Sequence, residues 1–243
     1  MDKKRDLKEL EKQISSCRRC PLYNRFAKSP FSQNGDEGKA RFQASPQIGG
    51  KAVEILRKKA PHFQCGEAYK TATQAVPGEG NPDAKIMFVG EGPGFWEDKK
   101  GRPFVGQAGK LLDKLLSAKG GSASGGQLIN LSRKNIFITN MVKHRPPGNR
   151  DPLPDEIKAC SLWIDKQIEI INPKIIVTLG RFSMAKFIPE GKISHIHGKK
   201  FVIEFKGRRT IVIPMFHPAA GLRSGEILKA LKEDFLNLKN EIS

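Results

Sequence analysis

Four apolar runs dominate the second part of the chain, at 86–89, 135–142, 174–179 and 209–215, and helical periodicity fills the gaps between the first three, at 109–118 and 154–171. This alternation constrains the fold more than any other feature. Strands separated by helices do not pair as simple hairpins; they assemble into a parallel sheet with helices on both faces. The expectation is a three-layer α/β/α fold around a central, mainly parallel sheet. A further helix is predicted over 182–188, strands over 200–205 and 209–215 pair across the turn Lys206-Gly207-Arg208, and a last helix covers 225–242. Open sheets of this kind hold ligands beyond the carboxyl ends of their strands. The residues that follow each strand therefore matter most.

Ahead of this region the pattern changes. Residues 4–16 form an amphipathic helix with Leu7, Leu10 and Ile14 on one face, and Cys17 and Cys20 come directly after it. The stretch 27–75 is polar and rich in Lys, Gly, Ser and Gln, and reads as an inserted or flexible excursion within one domain spanning 1–243. A Gly/Ser loop occupies 120–126. The chain carries 43 Lys and Arg against 25 acidic residues, a net charge of +18. Such an excess suits a phosphate backbone, although a generic basic surface has the same composition. No apolar run approaches the roughly 20 residues that span a bilayer. The charged N-terminus has no apolar core of a secretion signal. A cytoplasmic location is expected, where disulfides are rare, so the four cysteines (17, 20, 65 and 160) need another role.

Three strand-end motifs carry the chemistry. Gly-Glu-Gly-Pro-Gly at 90–94 permits close approach of backbone to a ligand, while Phe95 stands where a dinucleotide fingerprint needs glycine, which removes that reading. Beyond it lie Glu97 and then Phe104 between Gly101 and Gly106; an aromatic in such a loop is a candidate stacking wall for a planar base, or a core side chain. Asn140, at a strand end, offers a donor and an acceptor to the edge of a base, or forms a turn. Asn149 in Pro-Pro-Gly-Asn-Arg is equally open. His217, before Pro218 and ahead of Leu222-Arg223, reads as a donor aimed into a cleft.

From Val76 onward the chain resembles the family 4, iron–sulfur uracil-DNA glycosylases. The resemblance rests on VPGEGNPDAKIMFVGEGPG, EDKKGRPFVGQAGKLLDKLL, RPPGNRDPLPDEIKAC and HPAAGLR in order, together with CRRCPLY at 17–23. It implies the uracil-DNA glycosylase-like fold and hydrolysis of the uracil–deoxyribose bond in single- or double-stranded DNA, which leaves an abasic site and begins base excision repair. It implies that Phe104 stacks on the everted base, Asn140 reads its amide edge, Leu222 wedges into the vacated space and Arg223 holds phosphate. His217 and the N–H groups near Gly92 would stabilise charge on the uracil oxygen. Glu91, with Asn149 and Glu97 assisting, would position water or stabilise the sugar cation. The alternative expectation is a weakly active or non-hydrolytic uracil-DNA-binding protein of the same superfamily. A monomer is expected, with a sliding clamp as a candidate partner.

The resemblance also implies a [4Fe–4S] cluster on Cys17, Cys20, position 144 and Cys160. Here position 144 is His, a departure from four cysteines. His144 as ligand, Cys65 as substitute thiolate, and a Cys3His zinc site are the three readings. A branch of the superfamily traps uracil-DNA covalently through a histidine on an extra basic loop. The loop here, Pro-Pro-Gly-Asn-Arg-Asp-Pro, has no such His, so trapping is not expected.

Overall fold

Six strands form one sheet in the order β1-β3-β2-β4-β6-β5: β1 (Glu79–Gly80), β2 (Ile86–Gly90), β3 (Phe137–Asn140), β4 (Ile175–Leu179), β5 (Phe201–Phe205) and β6 (Arg208–Met215). The computed structural model describes residues 2–17, 19, 72–117 and 131–242. Cys20, Cys65, most of the 27–75 insert and the 120–126 loop lie outside them. The four inner strands are parallel, and the two edge strands run antiparallel to their neighbours.

Alternation along the inner strands sorts side chains into two layers. Ile86 and Phe88 of β2 face one side, with Ile138, Val177 and Ile213. They pack under Leu112, Leu115 and Leu116 of α3 (Gln107–Leu116) and Leu231, Phe235 and Leu238 of α8 (Gly225–Leu238). Met87 and Val89 face the other side, with Phe137, Ile176 and Val212, against Ile164, Ile168 and Ile171 of α4 (Pro154–Ile171). Leu7 of α1 (Lys3–Ser15) joins this second layer, which makes the N-terminal helix part of the same body. Each such large side chain, fully buried, stabilises the fold by about 1.5–3 kcal/mol.

Local chemistry sets the ends of the elements. Helix α4 starts with Pro154 at its first position, and Glu156 at N3 accepts the Leu153 N–H at 2.7 Å; it stops at Asn172, φ +53°. Both residues of the β5–β6 turn, Lys206 and Gly207, have positive φ, the requirement of a two-residue hairpin. Ser224 caps α8.

The bounds of several expected elements change. The last helix ends at Leu238 rather than 242, and a short 3-10 turn at Lys239–Glu241 follows. A helix not foreseen, α2 (Phe95–Lys100), grows out of the first motif, hidden in the sequence by flanking Gly and Pro. The remaining helices are short: α5 (Arg181–Ala185), α6 (Ile193–Ile196) and α7 (Pro218–Gly221). Among the described residues no helix is long and apolar enough to cross a membrane.

Candidate active site

A cavity of about 300 Å³ opens beyond the carboxyl ends of β2, β3 and β6. Glu91, Gly92, Glu97, Phe104, Asn140, Asn149, His217 and Arg223 all line it. Of the site residues expected around a base, Leu222 stands apart, 52% exposed at the end of α7 beside Arg223. The parallel sheet explains the convergence: β2, β3 and β6 all run the same way, so the residues after them meet at one edge.

Phe104 has φ +52°, a left-handed backbone unusual for a bulky residue, and is buried. Strain of this kind persists only when the surroundings hold it. Arg133 does so: its guanidinium donates to the Pro103 carbonyl at 2.9 Å and to the Phe104 carbonyl, while Glu79 and Asp113 anchor it from behind. Burial pushes the Glu79 carboxyl up, but hydrogen bonds from Arg102 and Arg133 outweigh it and hold the group below its ordinary value. Gly109 lets α3 press against the same loop, because a Cβ there would fall 1.8 Å from the Phe104 carbonyl oxygen. The Phe104 ring stacks on the His217 imidazole with centroids 5.6 Å apart and planes inclined by 27°.

Asn140 ends β3 with 1% exposure, and its Oδ1 has no hydrogen-bond partner among the described residues. A buried, unmet acceptor costs about 1–3 kcal/mol unless something binds it. Its main chain, by contrast, is anchored. The Lys143 ammonium, itself buried, donates to the Asn140 carbonyl at 2.8 Å, to Thr139 Oγ1 at 2.7 Å and to Gln167 Oε1 at 2.8 Å. Burial lowers the Lys143 pKa to about 7, opposed by the nearby Cys160. Gly90 gives Asn140 and Phe104 their room: a Cβ on it would stand 2.4 Å from Asn140 Oδ1 and 2.6 Å from Phe104 Cζ.

His217 precedes α7, and the Ala219 N–H donates to its Nδ1 at 3.1 Å. That nitrogen is therefore an acceptor, and the neutral imidazole carries its hydrogen on Nε2. Burial, helped by Arg223 and opposed by Glu97, pushes the His217 pKa down to about 4. The ring is neutral at pH 7.

The three candidates for handling water differ sharply. Glu91 follows β2, and its Oε1 accepts the Phe182 N–H at 3.3 Å. Burial raises its pKa above the usual 4.5, with Asp151 adding to the effect and the Phe182 and Arg181 N–H groups opposing it. Gly180, φ +101°, makes space for it, since a Cβ there would meet the carboxylate at 2.2 Å. Glu97 has both oxygens engaged by main chain: Oε1 accepts from Val105 and Gly106 at 2.7 Å each, and Oε2 from Gly94 at 3.2 Å. Asn149 is exposed at φ +56°, and its Oδ1 accepts from Arg145 Nε at 2.6 Å.

Comparison with known proteins identifies the family. Residues 77–238 match the model of the uracil DNA glycosylase superfamily. A type-4 uracil-DNA glycosylase of Sulfurisphaera tokodaii is 49% identical over 193 residues, covering 77% of this chain and 84% of that protein. Those of Saccharolobus solfataricus, 46% identical over 196 residues (79% and 87%), and Archaeoglobus fulgidus, 43% over 188 (75% and 88%), carry the same name. The chain belongs to the type-4 uracil-DNA glycosylases.

In this type-4 glycosylase neither Cys17 nor Cys160 lines the cavity. Cys17 and Cys160 are buried in one apolar cluster with Leu10, Ile14, Val142 and Trp163, and the Trp163 indole N–H donates to Cys17 Sγ at 3.3 Å. His144 is buried and does not line the cavity. Among the described residues no three His, Cys, Asp or Glu side chains form a group able to hold a metal ion by themselves. The donor types present, cysteine sulfur and imidazole in a water-poor setting, fit an iron–sulfur cluster or zinc.

Sequence reasoning missed the residues that hold the candidate site in shape. Arg133 and Lys143 act on main-chain carbonyls far away in sequence, which no local spacing announces. Gly109, a glycine inside a helical pattern, was the readable signal of a close approach.

Proposed function

We infer that this chain is a uracil-DNA glycosylase that everts uracil from DNA and hydrolyses its N-glycosidic bond, leaving an abasic site for base excision repair. The observation that carries the reading is the buried, unpartnered Asn140 Oδ1, set beside Phe104 and His217 in one cavity at the strand ends. A base has to leave the stack to reach such a cavity. Phe104 then lies against its face, while the Asn140 amide takes the N3–H and offers its own N–H to a uracil carbonyl.

As the bond to the sugar lengthens, negative charge moves to the uracil ring. The Nε2–H of neutral His217 supports that charge where it grows, and a preorganised donor of this kind is worth about 10²–10³ in rate. Main-chain N–H groups around Gly92 act alongside it. Glu91 is the carboxylate we assign to water and to the sugar cation, with Asn149 across the cavity assisting. Glu97 serves by ordering the 94–106 loop that presents Phe104. Leu222 enters the space left by the base, and Arg223 takes phosphate.

A [4Fe–4S] cluster is the proposed cofactor, held by Cys17, Cys20, His144 and Cys160, with Cys65 or zinc as the alternatives. When bound, it would supply a rigid crosslink between the end of α1 and the start of the 144–160 region. Metal analysis checks this: stoichiometric iron and acid-labile sulfide with visible absorbance are expected, both lost in Cys160→Ser, whereas zinc without sulfide would exclude the cluster. The same reading has one domain over 1–243, acting as a cytoplasmic monomer with a sliding clamp as a candidate partner; the packing of Leu7 against the sheet layer supports the single domain.

Incubation with uracil-containing single- and double-stranded oligonucleotides, followed by alkali, tests the function. Strand cleavage at uracil is expected, and intact uracils throughout would overturn it. The role of Glu91 has a pH signature. Its raised pKa keeps it protonated at pH values where an ordinary carboxylate has ionised, so kcat/KM should fall on the acid side from a point above pH 4.5. Glu91→Gln should lower the plateau at least tenfold and abolish that acid limb. An unchanged profile would remove Glu91 from the mechanism.

A further inference from the structure

Next to the cavity stands an aromatic pair that the mechanism above leaves unused. Phe95 and Trp96 open α2, directly after the cavity-lining Gly94, and are 40% and 54% exposed. Their rings meet edge-on, with centroids 5.2 Å apart. Lys99 Nζ lies 5.4 Å and the Arg145 guanidinium 5.1 Å from the Phe95 centroid. Phe95 is thereby engaged by two cations and by Trp96, which leaves Trp96 as the ring with surface to offer. Two adjacent large aromatics exposed to water require an explanation, since such groups usually mark a contact.

We propose that Trp96, backed by Phe95, is a stacking platform for the unpaired nucleobase that neighbours the everted uracil in single-stranded DNA. The proposal rests on the glycosylase reading. Three observations favour a nucleobase as occupant. The platform is continuous with the cavity through Gly94 and Glu97. Lys99 and Arg145 flank it on the Phe95 side and offer positive charge to a phosphate chain. Arg145 also ties it to the cavity wall, because the guanidinium over Phe95 donates to Asn149. When a uracil leaves a single strand, its neighbours lose a stacking partner and no complementary strand orders them. An exposed indole next to this pair of cations replaces that lost stack with little dependence on which base is present.

The chain has two tryptophans, and Trp163 is buried, so a change in emission on DNA contact reports Trp96. The probe is a single-stranded oligonucleotide with a tetrahydrofuran abasic residue at the uracil position and natural bases on both sides. Wild-type emission should be quenched on titration. Trp96→Ala should bind this probe about tenfold more weakly, and Trp96→Tyr should recover most of the loss. Probes that also lack the base on the 5′ or 3′ side locate the contact: with the stacked base gone, wild type should drop to the Trp96→Ala level, while the variant is indifferent. Equal binding by wild type and Trp96→Ala would overturn the platform. So would a deficit in Trp96→Ala that persists when both flanking bases are absent, or one traced by size-exclusion chromatography to a lost dimer. Uracil release by the wild type is measured in parallel. Its absence would count against the glycosylase reading, while the flanking-base comparison still judges the platform.

Discussion

His217→Ala should release uracil about 10²–10³-fold more slowly than wild type at saturating DNA, measured by single-turnover cleavage of a uracil oligonucleotide. The imidazole does two separable things. Its Nδ1 accepts the Ala219 N–H and so caps α7, a contact worth about 1 kcal/mol. Its Nε2–H is left for the cavity that His217 lines, and that hydrogen is the one assigned to the departing base. His217→Asn separates the two, because an Asn oxygen caps a helix as well as any side chain does. The Asn variant should therefore melt close to wild type yet remain at least 10²-fold slow. Near-normal turnover in either variant would refute the assignment. With a pKa near 4, the ring gains no proton between pH 5 and 8, so removing it should leave no titration near 6.5 missing from the rate profile. The same depressed value bears on stability. The unfolded chain binds a proton to this residue below about 6.5, whereas the folded chain resists until about 4, so the contribution is complete above 6.5 and is lost as pH falls through 4.

Gly90→Ala is expected to be as damaging to turnover as loss of the histidine, for a purely steric reason. The new methyl would stand 2.4 Å from Asn140 Oδ1 and 2.6 Å from the Phe104 ring, well inside contact distance. Asn140 cannot retreat, since its main chain is fixed by Lys143 and by the ladder with β2. Phe104 cannot retreat easily either, with Arg133 holding its carbonyl and Gly109 beneath. Overpacking of this kind costs about 1–3 kcal/mol of stability. The chain should remain folded, with circular dichroism unchanged and a lowered melting temperature, while uracil affinity and turnover fall by at least 10². A Gly90→Ala protein that excises uracil at the wild-type rate would show that the cavity does not hold the base.

The meeting of the candidate residues at one edge was readable before the fold was known. The alternation of strand and helix located the sheet, and the rule that parallel strands share one ligand edge predicted which loops would meet. Residues after β2, β3 and β6 did meet, as the placement of Glu91, Asn140 and His217 around one hollow demonstrates. Periodicity missed the short elements, β1, α6 and α7 among them, and α2, whose six residues are too few to establish a helical pattern between Gly94 and Gly101. The occupation of Glu97 by three main-chain N–H groups was equally invisible, because a carboxylate's partners depend on loop curvature rather than on residue type. Arg133 looked like one more contributor to the positive charge, yet it forms ion pairs with both Glu79 and Asp113.

The glycines at positions 90 and 180 bear on how this enzyme's appetite can drift. Each already has the smallest side chain available, and each abuts a group that faces the hollow. Mutation at either position can therefore only shrink the space, never enlarge it. A descendant that accepts a bulkier damaged base has to find its room at other lining side chains, such as Glu91, Phe104 or Asn140.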